Sequence, residues 1–287
     1  MAINYDKLMA RKFLDAEQTY TKRDTILYAL GLGFGADPVD ENQLQYVYEK
    51  SLKALPTMAV VLGSPGSWMR EDPEVGINYL KVVHGEQSLA VHKPLPAEAT
   101  VVGHNRIDRI IDKGEGKGAV VYVERKLYDK ANGDHLATTM GSIFARADGG
   151  FGGPVTQAPA LHQMPEGAPD VVCDIATMPR QALIYRLSGD YNPLHSDPAV
   201  AKAAGFPVPI LHGLCTYGIV GHAVIKSFCG YDASRLTGLQ VRFSSPIYPG
   251  ETIRVEMWKS AGVVSLRAKV LERDLVVLSN GRADIQQ

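Results

Sequence analysis

The sequence predicts an α+β fold of two similar repeats, each an antiparallel sheet wrapped around a central helix. A stretch rich in Gly and Pro, 147–168, has neither helical nor strand periodicity and divides the 287-residue chain near its middle, as a linker does. The motif PLPAEATV, which begins at Pro94, returns as PIYPGETI from Pro246. A repeated unit of about 130–150 residues has the size of one domain. We therefore expect two domains of similar architecture.

The segments that follow the two motifs are rich in β-forming residues. Apolar positions alternate with polar ones between Val255 and Val270, which is typical of strands with one buried face. The first series of strands ends on ARAD and the second on GRAD. These boundaries divide the chain into a first repeat at 1–150, a linker at 151–170 and a second repeat at 171–287.

The second repeat contains one clear candidate for a central helix. The segment from His212 to Gly230, HGLCTYGIVGHAVIKSFCG, is apolar on nearly every side, so a helix there must be buried. Its counterpart in the first repeat, 41–63, is interrupted by Pro56, which cannot continue a helix. We expect the first repeat to have lost part of its central helix, which would leave space.

The composition excludes several classes of function. Charged residues make up 21% of the chain and the net charge is −1, which does not favour a nucleic-acid partner. No apolar run approaches the ~18 residues of a membrane span. The start, MAINYDKLMARKFLDAEQ, lacks the apolar core of a secretory signal, and the last residues, ADIQQ, do not match a peroxisomal SKL signal. With three scattered cysteines and no C-x-x-C pair, these features predict a cytoplasmic protein.

The segment IYRLSGDYNPLHSDP, 184–198, is the first candidate for a functional site. It holds Asp190, Asn192 and His195 within six residues, and Pro193 restricts the backbone between them. An acid and an imidazole that face one water molecule can hold it and take its proton. The alternative is structural: Asp190 caps the turn and His195 pairs with a buried carbonyl.

A second candidate lies where the apolar helix begins, at His212 and Gly213 in PILHGLCTYG. The first N–H groups of a helix have no partner within it, and they carry a partial positive charge. A glycine there lets an oxygen approach the backbone closely, as in an oxyanion hole for an enolate. The alternative is an ordinary helix cap without a ligand.

Together, YRLSGDYNPLHSDP and PILHGLCTYG resemble the (R)-specific enoyl-CoA hydratases, also called hydratase 2 or MaoC-like dehydratases. The resemblance covers nearly the whole chain and is greatest to the form with two hotdog repeats, as in the hydratase unit of peroxisomal multifunctional enzyme type 2. The runs HGEQSLAVHKPLP, from His84, and IIDKGEG, around Lys113, belong to the same pattern. The resemblance implies tandem hotdog repeats and a homodimer. It also implies reversible hydration of trans-2-enoyl-CoA to (3R)-3-hydroxyacyl-CoA, as in β-oxidation, without a metal or redox cofactor.

The resemblance also implies a role for each matching residue. Asp190 and His195 would activate the water and move protons, Asn192 would fix their geometry, and the Gly213 N–H would polarise the thioester carbonyl. Lys113 would serve as a point charge for a phosphate of CoA. The remaining residues implied to contact or surround the substrate are His84, Gly85, Tyr191, Pro193, Leu194 and Phe243.

The two repeats are expected to divide the work. YALGLGFGADP, 28–38, looks like a faded copy of YRLSGDYNPLH that lacks the histidine, so the first repeat would bind and the second would react. The lost helical turns of the first repeat would make room for a long acyl chain. Three alternatives stay open: a hotdog thioesterase, a dehydratase for a specialised acyl-CoA or acyl carrier thioester, and a module that only binds acyl-CoA.

Overall fold

The fold is built on a single antiparallel sheet of ten strands, seen in a computed structural model that describes residues 3–286. The strands are β1 (Ala16–Tyr20), β2 (Val82–Val91), β3 (Ala99–Asp112), β4 (Ala119–Asp129), β5 (His135–Ala145), β6 (Val171–Ala176), β7 (Leu236–Phe243), β8 (Thr252–Ser260), β9 (Val263–Val270) and β10 (Leu275–Ile285). The helices are α1 (Tyr5–Met9), α2 (Lys22–Leu30), α3 (Glu41–Leu44), α4 (Trp68–Glu71), α5 (Gln181–Tyr185), α6 (Pro198–Ala203) and α7 (Gly213–Phe228). Short 3-10 turns lie at Pro56–Val60, Pro73–Val75, Tyr79–Lys81, Arg186–Ser188, Pro193–His195 and Ala233–Arg235.

The order of the strands shows the internal repeat. Across the sheet the order is β1-β3-β4-β5-β2-β7-β10-β9-β8-β6, so the second five strands repeat the first five in mirror order. The two halves join where β2 pairs with β7, with Leu89 opposite Leu239 in the core. The prediction of two similar repeats is confirmed, and the pairing of β2 with β7 joins the end strand of one half to the end strand of the other.

Helix α7 is the central helix of the second repeat, as the sequence predicted. Its residues from Cys215 to Ile225 are all buried, and Gly230, with φ 59°, follows its end. A Cβ at Gly218 would lie 2.5 Å from Leu32, and a Cβ at Gly221 would lie 2.8 Å from Thr57. These glycines therefore let parts of the first repeat pack directly against the helix.

The first repeat has no comparable helix, because its segment 41–63 holds only α3 and the 3-10 turn at Pro56–Val60. Pro56 begins that turn, where its missing N–H costs nothing. All five residues of the turn are buried against the core. The expectation of an incomplete helix is confirmed.

The remaining features concern the linker, the cysteines and membrane association. Between β5 and β6 the chain runs as irregular structure through 147–168. Within the part of the chain that the structure describes, no helix is long and apolar enough to cross a bilayer. Cys173, Cys215 and Cys229 are free and buried.

Candidate active site

The loop that joins α5 to α6 carries the predicted acid and base, and its own hydrogen bonds fold it. Gly189 adopts φ 116°, a conformation that other residues rarely take, and so turns the chain into Asp190. One carboxylate oxygen of Asp190 accepts from the amide of Asn192 at 3.1 Å, and the side-chain oxygen of Asn192 accepts from the amide of Leu194 at 3.1 Å. Asp197 then caps α6. These successive side-chain-to-backbone bonds fix the loop locally.

His195 is buried and held in one tautomer. Its Nδ1 lies 2.9 Å from the carbonyl oxygen of Ile210. Because a carbonyl can only accept, Nδ1 donates, and Nε2 is left with a free lone pair. Burial lowers the pKa of His195, so the ring is neutral near pH 7. The structural alternative considered for this histidine is therefore partly right: His195 does pair with a buried carbonyl, but that bond leaves Nε2 available as a base.

His212 lies beside His195, although the sequence analysis predicted no role for its side chain. Its ring stacks on that of His195 with centroids 3.8 Å apart, and its Nε2 donates to the backbone carbonyl of Asp190 at 3.1 Å. Only 1% of its surface is exposed. Burial lowers the pKa of His212 to about 4, and a proton on the neighbouring His195 acts in the same direction. The sequence signal for His212 is the His-Gly pair at the start of α7, but only the glycine of that pair was predicted to have a role.

The side chains of Asp190, His195 and His212 form one compact group. Their potential ligand atoms all lie within 4.8 Å of one another, close enough to bind a divalent cation. The sequence showed no metal spacing because His212 lies 17 residues beyond His195, at the start of a different element. The same convergence also suits a water molecule held between an acid and a base.

Gly213 begins α7 beside this cluster. The amides of Cys215 and Thr216 bond to the carbonyl of His212, so the Gly213 amide precedes the first hydrogen bond of the helix. A Cβ at Gly213 would lie 3.3 Å from the ring of Phe243. Glycine thus keeps a narrow space open between that ring and a helix N-terminus.

The first repeat contributes His84 to the same region. Its ring lies 4.8 Å from that of Phe243, and its Nε2 donates to the carbonyl of Glu86 at 3.0 Å. Burial lowers the pKa of His84 to about 4, while the nearby Asp190 acts in the opposite direction. The structure therefore places a histidine of β2 near Asp190 and Phe243.

Two further residues of the first repeat that the resemblance implied, Gly85 and Lys113, lie beside His84 in the chain and just after β3, respectively. Gly85 sits at a register irregularity between β2 and β5, where a Cβ would lie 2.7 Å from the Ser142 hydroxyl. The Lys113 ammonium lies 5.4 Å from the centre of the Phe144 ring, and Phe144 pairs with Val83, the neighbour of His84. Lys113 thus reaches the neighbourhood of His84 only indirectly, through Phe144 of β5 and Val83 of β2.

A cavity of about 210 Å³ joins the loop to the first repeat. Tyr191, the residue after Asp190, is 59% exposed, and the guanidinium of Arg186 lies 5.1 Å from its ring. Pro193 is exposed and Leu194 half-buried. The cavity lies where the first repeat lacks its central helix, and its walls are Gln18, Thr19, Tyr20, Asp24, Met58, Val61, Leu62, Leu187, Ser188, Gly189 and Tyr191.

Comparison with known proteins identifies the family. Residues 160–280 match the MaoC like domain, and residues 18–147 match the MFE-2 hydratase 2 N-terminal domain. The chain is 38% identical to the peroxisomal enoyl-CoA hydratase 2 of Arabidopsis thaliana over 99% of this chain and 96% of that protein. It is also 38% identical to the peroxisomal multifunctional enzyme type 2 of Mus musculus, over 96% of this chain and 38% of that longer protein.

A solved structure agrees over the full length. The crystal structure of a MaoC-like dehydratase from Phytophthora capsici superposes with a TM-score of 0.86 at 36% identity and covers 98% of both chains. The tandem hotdog architecture that the resemblance implied is therefore confirmed. The chain belongs to the hydratase 2 family of MaoC-like proteins.

Proposed function

We propose that the protein is a hydro-lyase that adds water reversibly to trans-2-enoyl-CoA and forms (3R)-3-hydroxyacyl-CoA in fatty acid metabolism. One observation carries the proposal: donor atoms of Asp190, His195 and His212 lie within 4.8 Å of one another, and His212 directly precedes Gly213, whose amide comes before the first hydrogen bond of α7. A base, an acid and an oxyanion donor in one small volume are the groups that hydration of an α,β-unsaturated thioester needs.

The reaction follows from this geometry. Asp190 and His195 hold one water molecule, and its oxygen forms a bond to C3 of the substrate as its proton passes to the pair. The electron pair of the C2–C3 double bond moves toward the thioester, whose oxygen gains charge and is stabilised by the Gly213 amide. The pair then delivers a proton to C2. The sum is one water added across the double bond, and the reverse sequence is dehydration.

No metal or redox cofactor is needed in this scheme, because the thioester carbonyl itself makes the proton on C2 acidic. CoA enters as part of the substrate. Neutral His195 supplies the base, and its bond to Ile210 holds the ring in place while the proton moves.

We assign binding to the first repeat, 1–150, and chemistry to the second, 171–287, with the linker at 151–170 between them. The cavity beside Met58 and Val61 receives the acyl chain. Lys113 faces a phosphate of CoA. The other substrate contacts proposed are His84, Gly85, Tyr191, Pro193, Leu194 and Phe243, with Asn192 holding the loop.

We further propose a homodimer that acts in the cytoplasm without nucleic acid or membrane partners. Free, buried cysteines fit a reducing compartment. The relatives from Arabidopsis and mouse are named as peroxisomal, so fractionation of the host cell is the test of location. Light scattering tests the assembly, since a dimer has twice the 31.2 kDa of one chain.

Product stereochemistry tests the activity directly. The purified protein is incubated with trans-2-decenoyl-CoA, and the product is trapped with dehydrogenases specific for (3R)- or (3S)-3-hydroxyacyl-CoA. We expect a signal only with the (3R)-specific enzyme. Release of free CoA would instead indicate a thioesterase, and failure on a panel of short, branched and sterol-derived enoyl-CoAs would leave only a binding role.

A further inference from the structure

We propose that His212 is a positioning residue for the hydration, which holds both Asp190 and His195 in their working arrangement. This inference rests on the proposed function for its kinetic consequence. Its structural part is that the side chain of His212 controls the orientation and tautomer of His195, and this can be measured without any substrate.

His212 is linked to each part of the site. Its ring packs face to face on His195, at 3.8 Å and an interplanar angle of 26°, which restricts rotation of the base. Its Nε2–H holds the backbone of the acid through the Asp190 carbonyl. It also precedes Gly213, the first residue of α7, and so lies next to the oxyanion donor.

The second ring nitrogen of His212 lacks a hydrogen bond, which costs folding free energy. With Nε2 donating, Nδ1 of His212 carries a lone pair, and it is buried without a hydrogen-bond partner among the described residues. Buried polar atoms are nearly always paired, so an unpaired one beside a reactive group needs an explanation. The ring of Tyr185 also packs near His212, with centroids 5.1 Å apart.

The neutral state of His212 suits this role. When His195 accepts the proton of water it becomes a cation, and a neutral imidazole face stacked on it stabilises that charge, whereas a second cation would repel it. Burial is the main cause that opposes protonation of His212; a proton on His195 and the charge of Arg186 act in the same direction, while Asp190 favours protonation. The ring therefore stays neutral near pH 7.

The chain offers a matched control on the same helix. His222 is also buried, its Nδ1 donates to the carbonyl of Leu32, its Nε2 has no partner among the described residues, and its ring stacks on Phe34 at 3.7 Å. Like His212, it is a buried histidine with one ring nitrogen bonded to a carbonyl and the other unpaired. Its ring, however, lies against Phe34 and Tyr231 rather than against the loop of Asp190 and His195.

The experiment compares His212→Phe, His212→Gln and His222→Phe. Phenylalanine keeps an apolar ring and removes the donor, while glutamine places an amide N–H near the position of Nε2. We expect kcat to fall at least about tenfold in His212→Phe with KM nearly unchanged, because misplaced catalytic groups lose rate rather than binding. His212→Gln should recover part of that loss, and His222→Phe should keep the wild-type kcat.

A spectroscopic measurement decides the question if the wild type proves inactive on enoyl-CoA. The ring ¹⁵N signals of His195, in protein labelled at histidine, report whether Nδ1 or Nε2 carries the proton. Without the stacked ring of His212, the His195 ring can turn away from the Ile210 carbonyl that fixes its tautomer, so we expect His212→Phe to shift this balance and His222→Phe to leave it unchanged. Equal behaviour of the two phenylalanine variants, in rate and in the His195 signals, would overturn the proposal and leave His212 as an ordinary core residue.

Discussion

His84 of the first repeat and Phe243 of the second lie with their rings 4.8 Å apart, and this contact joins the two halves of the chain at the candidate site. It depends on the pairing of β2 with β7, in which Glu86 lies opposite Arg242. The candidate site therefore has side chains of both repeats at its border.

The first prediction concerns His84. Replacing it with alanine removes a ring that borders Phe243 and lies near Asp190, so KM for enoyl-CoA should rise about tenfold. Steady-state kinetics provide the measurement. His92→Ala is the control, because His92 is exposed and lies just beyond the other end of β2, where it bonds Thr138. An unchanged KM in His84→Ala would remove His84 from the substrate contacts.

The acid and the base should be indispensable. Asp190→Asn and His195→Gln are each expected to lower kcat by about 10²–10⁴-fold, the range that positioned proton transfer contributes. Asp197→Ala, in the same loop, is the control: it removes the cap of α6 and should cost about 1 kcal/mol of folding free energy while leaving kcat near wild type. Full activity in both catalytic variants would refute the mechanism.

Stability should fall as the pH drops from about 6.5 toward 4. Burial lowers the pKa of His84, His212 and His222 to about 4, below the value of about 6.5 in the unfolded chain. Between these values the unfolded state binds more protons than the folded state, so the free energy of unfolding decreases with acidification. For His212 and His222, which are almost completely buried, the loss is on the order of 2–3 kcal/mol each.

Urea unfolding at pH 7.5 and at pH 4.5 measures this effect. His222→Phe removes one of the three groups, so its free energy of unfolding should depend less steeply on pH than that of the wild type. A slope equal to that of the wild type would show that His222 is not buried in its neutral form.

The cavity should set the preference for chain length. Val61→Phe places a larger side chain in the wall of the 210 Å³ cavity, which Gly189 and Tyr191 also line. We expect kcat/KM for trans-2-decenoyl-CoA to fall about tenfold or more, while the value for the four-carbon crotonyl-CoA stays within about twofold. An equal loss for both substrates would place the acyl chain elsewhere.

Activity should not depend on a metal, because the thioester supplies the activation that the reaction needs. Prolonged dialysis against EDTA is expected to leave kcat unchanged, with metal content checked by mass spectrometry of the dialysed enzyme. Loss of activity that Zn²⁺ restores would reverse the assignment and make Asp190, His195 and His212 the ligands, since their donor atoms lie within 4.8 Å.

Much of the site is local in sequence, and those parts could be predicted. Asp190 and His195 are separated by one turn, whose shape follows from Gly189 and Pro193, and α7 follows from a segment that is apolar on nearly every side. The incomplete helix of the first repeat follows from Pro56. In each case the residues that decide the structure lie close together along the chain, where turn and helix preferences act.

The tertiary structure decided the remainder. The stacking of His212 on His195, the contact of His84 with Phe243 and the cavity beside Val61 all join elements that are distant along the chain. Their geometry depends on strand register and on how closely glycines let α7 approach the first repeat. A sequence pattern specifies which face of a strand or helix is buried, but the partner that covers it is set by the packing of the whole sheet.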